Sequence, residues 1–308
     1  MADDRTAQER REAYVGRVNR VMDYIRDNPA GDLRLAALAQ VASFSPYHFH
    51  RVFKAVANET LNEYVRRIRA ERAASHLLQD PTRTITDIAI DSGYSSPSAF
   101  AREFRQRYGV SASQFRSGGQ DSLHHLREHL AARGEPLTDT PSDEQMPRAD
   151  IVFRIEVCDL PELFVAYIRH KGPYSEIGQA FRRLMRWAGP RRLLRSPETQ
   201  VLAVYYDNPD ITPVDRLQSD ACITVPADTQ PRRAVGTMRI PGGRFAVAHA
   251  EIDPTQYGEA WDRLMSDWMP QSGYCPDDRL CYERYPGDIR KHPQNKHIVD
   301  ICEPIRPL

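Results

Sequence analysis

The sequence predicts two domains of different class. An all-α domain with two helix-turn-helix units joined by a helix comes first, and an α+β domain of two repeated strand-helix-strand-strand units follows. Three observations carry this expectation. The chain has 308 residues, more than the ~100–150 that one core usually takes. Its patterning changes midway, from helical spacing before Ser117 to β-rich runs (FVAYI, VLAVYY, ACITV, FAVAHA, HIVDICEPI) after Asp150. Each half also repeats itself. SPYHFHRVFK at Ser45–Lys54 returns as SPSAFAREFR at Ser96–Arg105, and GQAFRRLM at Gly178–Met185 returns 80 residues later as GEAWDRLM at Gly258–Met265. The same 80-residue shift carries Asp220 and Cys222 onto Asp300 and Cys302.

Composition narrows the class. A hydrophobic fraction of 41% with 27% charged residues is ordinary for a globular chain, and no run reaches the ~18 apolar residues of a membrane helix. The start, MADDRTAQERRE, is charged throughout and lacks the apolar segment of a signal peptide, so a cytoplasmic location is expected. Cys158, Cys222, Cys275, Cys281 and Cys302 show no metal-ligand spacing, so reduced thiols and no metal are expected. The zero net charge sums unlike halves: residues 1–119 hold 18 Lys/Arg against 14 Asp/Glu, and the remainder holds 24 against 28. The basic first half is the candidate for a polyanionic partner.

In the first repeat, Asp32 is positioned to cap a helix carrying Leu35, Leu38 and Val41. A turn through Ser43 and Phe44 follows, then Ser45 caps and Pro46 opens a second helix. In the second repeat, Thr84 caps with Asp87 at the third helical position, Gly93 turns the chain, and Ser96 with Pro97 opens the next helix. Each copy is a helix-turn-helix layout. On the helix from Pro46, Phe49, Val52 and Phe53 cluster on one face, and Tyr47, His50, Arg51 and Lys54 line the other. Arg51 suits a guanine edge, His50 and Tyr47 suit base edges, and Lys54 suits a phosphate. The outward positions of the second copy, Ser98, Ala101, Arg102 and Arg105, favour backbone contact. The segment from Glu59 to Gln79 reads as one helix that sets the distance between the copies.

Gly, Ser, Pro and charged residues dominate 120–149, so this segment reads as a linker with one short polar helical patch, SLHHLREHLAA, and the second domain is placed at 150–308. Two repeats there would join their strands into one sheet with both helices on one face, leaving a groove opposite or between them. Helix-borne Phe181, Leu184, Met185, Trp261, Leu264 and Met265 occupy equivalent positions and read as core. Strand tyrosines suit a partly wet site, and Tyr174, Tyr206, Tyr282 and Tyr285 are candidates. Glu283 lies in the strand LCYERY, where alternation sends it and Tyr285 to one face and Tyr282 to the other. Facing inward, a carboxylate beside aromatic rings makes a site for a cationic or amphipathic organic molecule. Facing outward, it is an ordinary surface glutamate.

Residues 18–116 resemble the AraC/XylS family, whose DNA-binding region joins two helix-turn-helix units by such a helix and ends in a motif like GVSASQFR at Gly109–Arg116. Ser43 and Asn58 depart from it, standing where the family usually has Gly. Residues 152–305 resemble the GyrI-like effector-binding domain, through the Y-E-x-Y-like strand around Glu283 and a His-x-Gly-Pro-Tyr-like segment at His170–Tyr174. Together they are similar to the Rob-like subgroup of AraC-type regulators. The resemblance implies a ligand-responsive transcription regulator, an activator placed next to RNA polymerase, with promoter DNA and a small-molecule effector as ligands. It implies a monomer on DNA, no cofactor and no enzymatic activity. The rivals are a hydrolase of small electrophilic compounds, using Glu283 with Tyr285 or Tyr206 as an acid/base pair, and a protein-interaction module.

Overall fold

The structure is a computed structural model that describes residues 2–138, 151–195, 198–287 and 292–308. The chain divides into two compact units. The first runs to Leu137 and takes in Asn208–Asp215 and Arg232–Gly236; the second holds the remaining described residues.

The first unit is helical. Its elements are α1 (Ala2–Asp27), α2 (Leu35–Val41), α3 (Pro46–Ala57), α4 (Leu61–Gln79), α5 (Ile85–Asp91), α6 (Pro97–Tyr108), α7 (Ala112–Ser117) and α8 (Gly119–Ala131). They build two cores. Val18, Val21 and Ile25 of α1 join Leu38, Phe49 and Phe53 in one, and Ile88, Phe100, Phe104, Tyr108 and Phe115 make the other. Helix α4 belongs to both, giving Leu61, Tyr64, Val65 and Ile68 to the first and Ala70, Ala73, Ala74 and Leu77 to the second. A capping box fixes its start, with Thr60 accepting from the Glu63 backbone N–H and the Glu63 carboxylate accepting from that of Thr60.

A chain of buried charges runs along α4. Arg67 pairs with Glu59 at 2.8 Å and with Glu71 at 3.0 Å, and Glu71 takes Arg107, from the last turn of α6, at 3.1 Å. Glu59 directly follows the left-handed Asn58 that ends α3 (φ 59°), so this chain links the ends of α3 and α6 through α4.

Both helix-turn-helix turns have one shape. In the first, Ser43 N–H donates to Gln40 O and Phe44 N–H to Ala39 O; in the second, Gly93 N–H donates to Ile90 O and Tyr94 N–H to Ala89 O. Gly93 has φ 90° and Ser43 φ 54°, so the serine departure leaves the turn intact at the cost of a left-handed backbone. Thr84 and Ser96 cap with their side chains as expected, whereas Ser45, the N-cap of α3, makes no side-chain cap hydrogen bond. The start of α2 differs: Arg34 is its N-cap, and Asp32 instead accepts from the Arg34 backbone and guanidinium, because an arginine two residues on offers this carboxylate a forked donor.

The polar patch assigned to the linker is α8, and its Leu126 and Leu130 are fully buried against the second core. A stripe of Leu126 and Leu130 one turn apart, with Leu123 half-buried beside them, suffices to dock it, although most of its other positions are polar.

The second unit contains β1 (Val152–Leu160), β2 (Leu163–Lys171), α9 (Gly178–Ala188), β3 (Val201–Tyr205), β4 (Gln218–Thr224), β5 (Gly236–Ile240), β6 (Gly243–Ile252), α10 (Tyr257–Asp262, continuing in π-helical turns over Arg263–Trp268), β7 (Tyr274–Pro276), β8 (Cys281–Tyr285) and β9 (His297–Pro307). The strands order as β1-β6-β9-β8-β3-β4-β2-β5, with β7 beside β9. The 80-residue repeat reappears as β2-α9-β3-β4 and β6-α10-β8-β9, joined antiparallel where β3 meets β8. One face carries small residues, Ala203, Ala246 and Ala248, and both helices. The other buries Val165, Tyr167, Val204, Cys222, Val247, Tyr282 and Cys302 in a separate core.

Candidate DNA-reading faces and effector site

The two α3/α6 faces are built by the same amphipathic spacing. Opposite the buried Phe49 and Phe53, His50, Arg51 and Lys54 are exposed on α3; opposite Phe100 and Phe104, Ser98, Arg102 and Arg105 are exposed on α6. The side chain of Tyr47 lies outside the described residues. Among the described residues, none of His50, Arg51, Lys54, Arg102 and Arg105 holds an ion pair, which leaves their donors available to phosphates and base edges. His48, near the start of α3, is also exposed and sits outside the stripe read from the sequence.

Glu283 sits at the junction of the two repeats. The β3–β8 register sets it opposite Ala203, with Tyr285 opposite Val201 and Cys281 opposite Tyr205, all on the helix-bearing face. It is 2% exposed, so it is not a surface glutamate. Three protein donors hold it: Tyr205 and Tyr285 hydroxyls donate to Oε2, each at 2.7 Å, and Trp261 Nε1 donates to Oε1 at 2.8 Å. Burial pushes its carboxyl above the usual carboxylate range, and the three donated hydrogen bonds oppose that rise.

Tyr205 and Tyr285 are related by the 80-residue shift, so symmetry delivers two hydroxyls to one carboxylate oxygen, and the partner position of Glu283 is the small Ala203. The helix rings follow the same symmetry: Phe181 of α9 meets Tyr285 at 6.1 Å, and Trp261 of α10 meets Tyr205 at 6.2 Å, both edge to face. Tyr174 packs edge-on against Tyr205 at 4.8 Å and donates to Asp207 O at 2.6 Å. The result is one buried carboxyl group framed by aromatic rings.

Two sequence candidates fall elsewhere. Tyr206 points to the opposite face, where its hydroxyl donates to Asp220 at 2.7 Å under the Arg169 guanidinium. Tyr282 is buried on that face against Phe245. Their places beside Glu283 are taken by Tyr205 and by Trp261, which periodicity had assigned to the core. Both were within reach of the sequence: the 80-residue shift applied to Tyr285 lands on Tyr205, and a buried indole N–H needs an acceptor. The opposite face carries a second repeat-related pair, Arg169 with Asp220 (2.9 and 2.8 Å) and, 80 residues on, His249 with Asp300 (2.7 Å).

Among the described residues no group of three or more His, Cys, Asp or Glu could hold a metal ion, and no helix is long and apolar enough to cross a membrane.

The GyrI-like small molecule binding domain matches residues 153–306, and a helix-turn-helix domain of AraC type matches residues 38–118. Among curated relatives, a DNA gyrase inhibitor of Edwardsiella ictaluri is 34% identical over 149 residues, covering 47% of this chain and 91% of the relative. DNA gyrase inhibitor 2 of Dickeya dadantii is 33% identical over 129 residues, covering 41% and 80%. Among solved structures, EcmrR in an EcmrR–DNA complex matches with a TM-score of 0.45 at 14% identity, over 89% of this chain and 99% of that one. The chain therefore belongs to the GyrI-like small-molecule-binding family, joined to an AraC-type helix-turn-helix domain, and is a ligand-responsive DNA-binding transcription regulator.

Proposed function

We propose that the second unit captures a cationic or amphipathic organic molecule at Glu283, and that the chain in response activates transcription beside RNA polymerase as a monomer bound to promoter DNA. The observation that carries the effector reading is a buried carboxylate framed by Tyr174, Tyr205, Phe181, Trp261 and Tyr285 in a small-molecule-binding domain. A charge shielded from water acts over a longer range than an exposed one, and aromatic faces attract cations; neutral and anionic ligands gain neither. A ligand reaching the carboxylate displaces one of its three donors, so occupancy moves Trp261 or a tyrosine, which gives binding a structural consequence.

On the DNA side, two recognition helices in one chain support reading successive major-groove segments about 10 bp apart without a symmetric operator. Arg51, His50 and Tyr47 take the base-reading role, with Lys54, Ser98, Arg102 and Arg105 towards the backbone. We place this action in the cytoplasm, without cofactor or catalysis: both oxygens of Glu283 are held by protein donors, which suits charge recognition better than proton abstraction from water. The gyrase-inhibitor relatives favour a second reading, in which this unit binds a protein.

The test is a titration of wild type and Glu283→Gln with cationic, neutral and anionic dyes, read by tryptophan fluorescence. The account expects cations to bind the wild type and to lose at least ~10-fold in affinity on substitution, and expects that affinity to fall on acidification as the carboxylate takes up a proton. Equal binding of every dye to both proteins overturns it.

A further inference from the structure

Helix α9 and the turn after it carry Arg182, Arg183, Arg186, Arg191, Arg192 and Arg195, and all six are exposed. This concentration stands against the composition of its surroundings, since residues 120–308 hold 24 basic side chains against 28 acidic ones. On α9, Arg186 lies one turn from both Arg182 and Arg183, on the side away from the buried Ala180, Leu184 and Ala188. Arg191 is fixed over Trp187, its guanidinium carbon 4.9 Å from the ring centre and Nη1 donating to Trp187 O at 2.8 Å. Arg192 has φ 55°, a backbone that glycine adopts more readily, so a cation occupies a position where its side chain is a conformational cost.

Other exposed arginines of this unit are neutralised locally. Arg154 pairs with Glu156 at 2.8 Å, Arg239 with Glu162 at 2.7 Å and Arg244 with Asp159 at 3.2 Å. Among the described residues none of the six arginines of 182–195 pairs with a carboxylate. Like charges one turn apart repel, so such a face is costly until an anion covers it.

We propose that this face binds the phosphate backbone of nucleic acid, giving the second unit a sequence-independent contact of its own with the DNA that the first unit reads. Guanidinium groups match phosphate oxygens as forked donors. An exposed helical row of them offers no enclosure for a small anion and suits an extended polyanion. Because both units are on one chain, DNA held by α3 and α6 is presented to this face at high effective concentration, so weak phosphate contacts suffice.

The experiment uses the full chain and a fluorescent random-sequence duplex of about 60 bp, with affinity measured by anisotropy across a NaCl series. Arg182→Gln, Arg183→Gln and Arg186→Gln are combined in one variant. A charge-matched control combines Arg154→Gln, Arg239→Gln and Arg244→Gln. Each phosphate contact contributes about 0.9 to the slope of log affinity against log salt, so the first triple should flatten the slope by about 2–3 and lose at least ~10-fold in affinity at low salt. The control should match wild type, and a variant combining Arg182→Lys, Arg183→Lys and Arg186→Lys should keep most of the slope. An unchanged slope overturns the proposal, as do equal changes in the two glutamine triples, which would reflect net charge alone. Loss of slope in the lysine triple would mean that these side chains serve the fold, and unchanged DNA binding with lost transcriptional activity would point to an acidic protein partner; either also overturns it.

Discussion

Replacing Glu303 by glutamine should stabilise the second unit above neutral pH and change little below pH 5. Glu303 stands on β9 opposite Ala246, on the helix-bearing face with Val299, Ile301 and Ile305, and is buried. The β8–β9 register that pairs Glu283 with Ile301 brings Cys281 across from it. Burial first, and the charge of Asp277 second, push its carboxyl from 4.5 to about 8, opposed by a hydrogen bond with the Cys281 thiol. Between those pH values the folded chain keeps a proton that the unfolded chain has released. Stability therefore falls as pH rises from the ordinary carboxylate value towards 8 and levels off above it. At 1.36 kcal/mol per pH unit that interval corresponds to at most ~5 kcal/mol, and a neutral isostere should recover several kcal/mol of it at about pH 9.

The assay is urea unfolding at a series of pH values. Trp187, Trp261 and Trp268 are the three tryptophans of the chain and all lie in the second unit, so their fluorescence reports on it alone. Glu283, shifted upward by burial, is common to the two proteins and cancels in the difference, whereas Cys281, pushed up by burial first and by the Glu303 charge second, keeps the burial contribution in the variant. A difference that does not grow with pH, or a glutamine variant that is the less stable at pH 9, refutes the reasoning.

The first unit offers three further tests. Ser43→Gly should gain about 1 kcal/mol by relieving a left-handed serine, whereas Gly93→Ala, whose Cβ would meet Pro29 O at 2.0 Å, should lose about 3 kcal/mol; thermal melts by circular dichroism separate the two. Arg67→Ala leaves Glu59 and Glu71 without their shared buried cation and should cost about 3–5 kcal/mol, read in the same melts. Arg51→Ala should cost about 1–3 kcal/mol and relax preference at one base position, whereas Lys54→Ala should weaken binding to all sequences and flatten its salt dependence, as compared on specific and random duplexes.

Repeats made most of the architecture legible. Matching apolar positions in Ser45–Lys54 and Ser96–Arg105 became matching helices with matching turns, and the 80-residue shift became a symmetric sheet in which every element of one repeat has its counterpart. Finer features depended on one-residue choices. The adjacent tyrosines at 205 and 206 face opposite sides of β3, and a register one residue off exchanges the residue beside Glu283 for the one beside Asp220. Helical periodicity could show that Trp261 points inward but not that its N–H meets a carboxylate from a strand 22 residues later. Composition showed the helical patch of α8 but hid its docking, because Leu123, Leu126 and Leu130 are a narrow stripe among histidines and charged residues. Asp32 turned to Arg34 and not to the helix start, a competition between two local donors that spacing rules do not rank.

The proposed coupling of the DNA-reading unit to a cation-sensing Glu283 is tested most directly by in vitro transcription. The template is the strongest promoter fragment recovered by genome-wide mapping of the DNA this protein binds, transcribed by RNA polymerase with wild type or Glu283→Gln, with and without the tightest cationic dye of the panel. The account predicts that the dye raises transcript yield several-fold with the wild type and leaves it unchanged with Glu283→Gln, while both proteins occupy the promoter equally in its absence. The same response with both proteins, or none with the wild type at saturating dye, would contradict it.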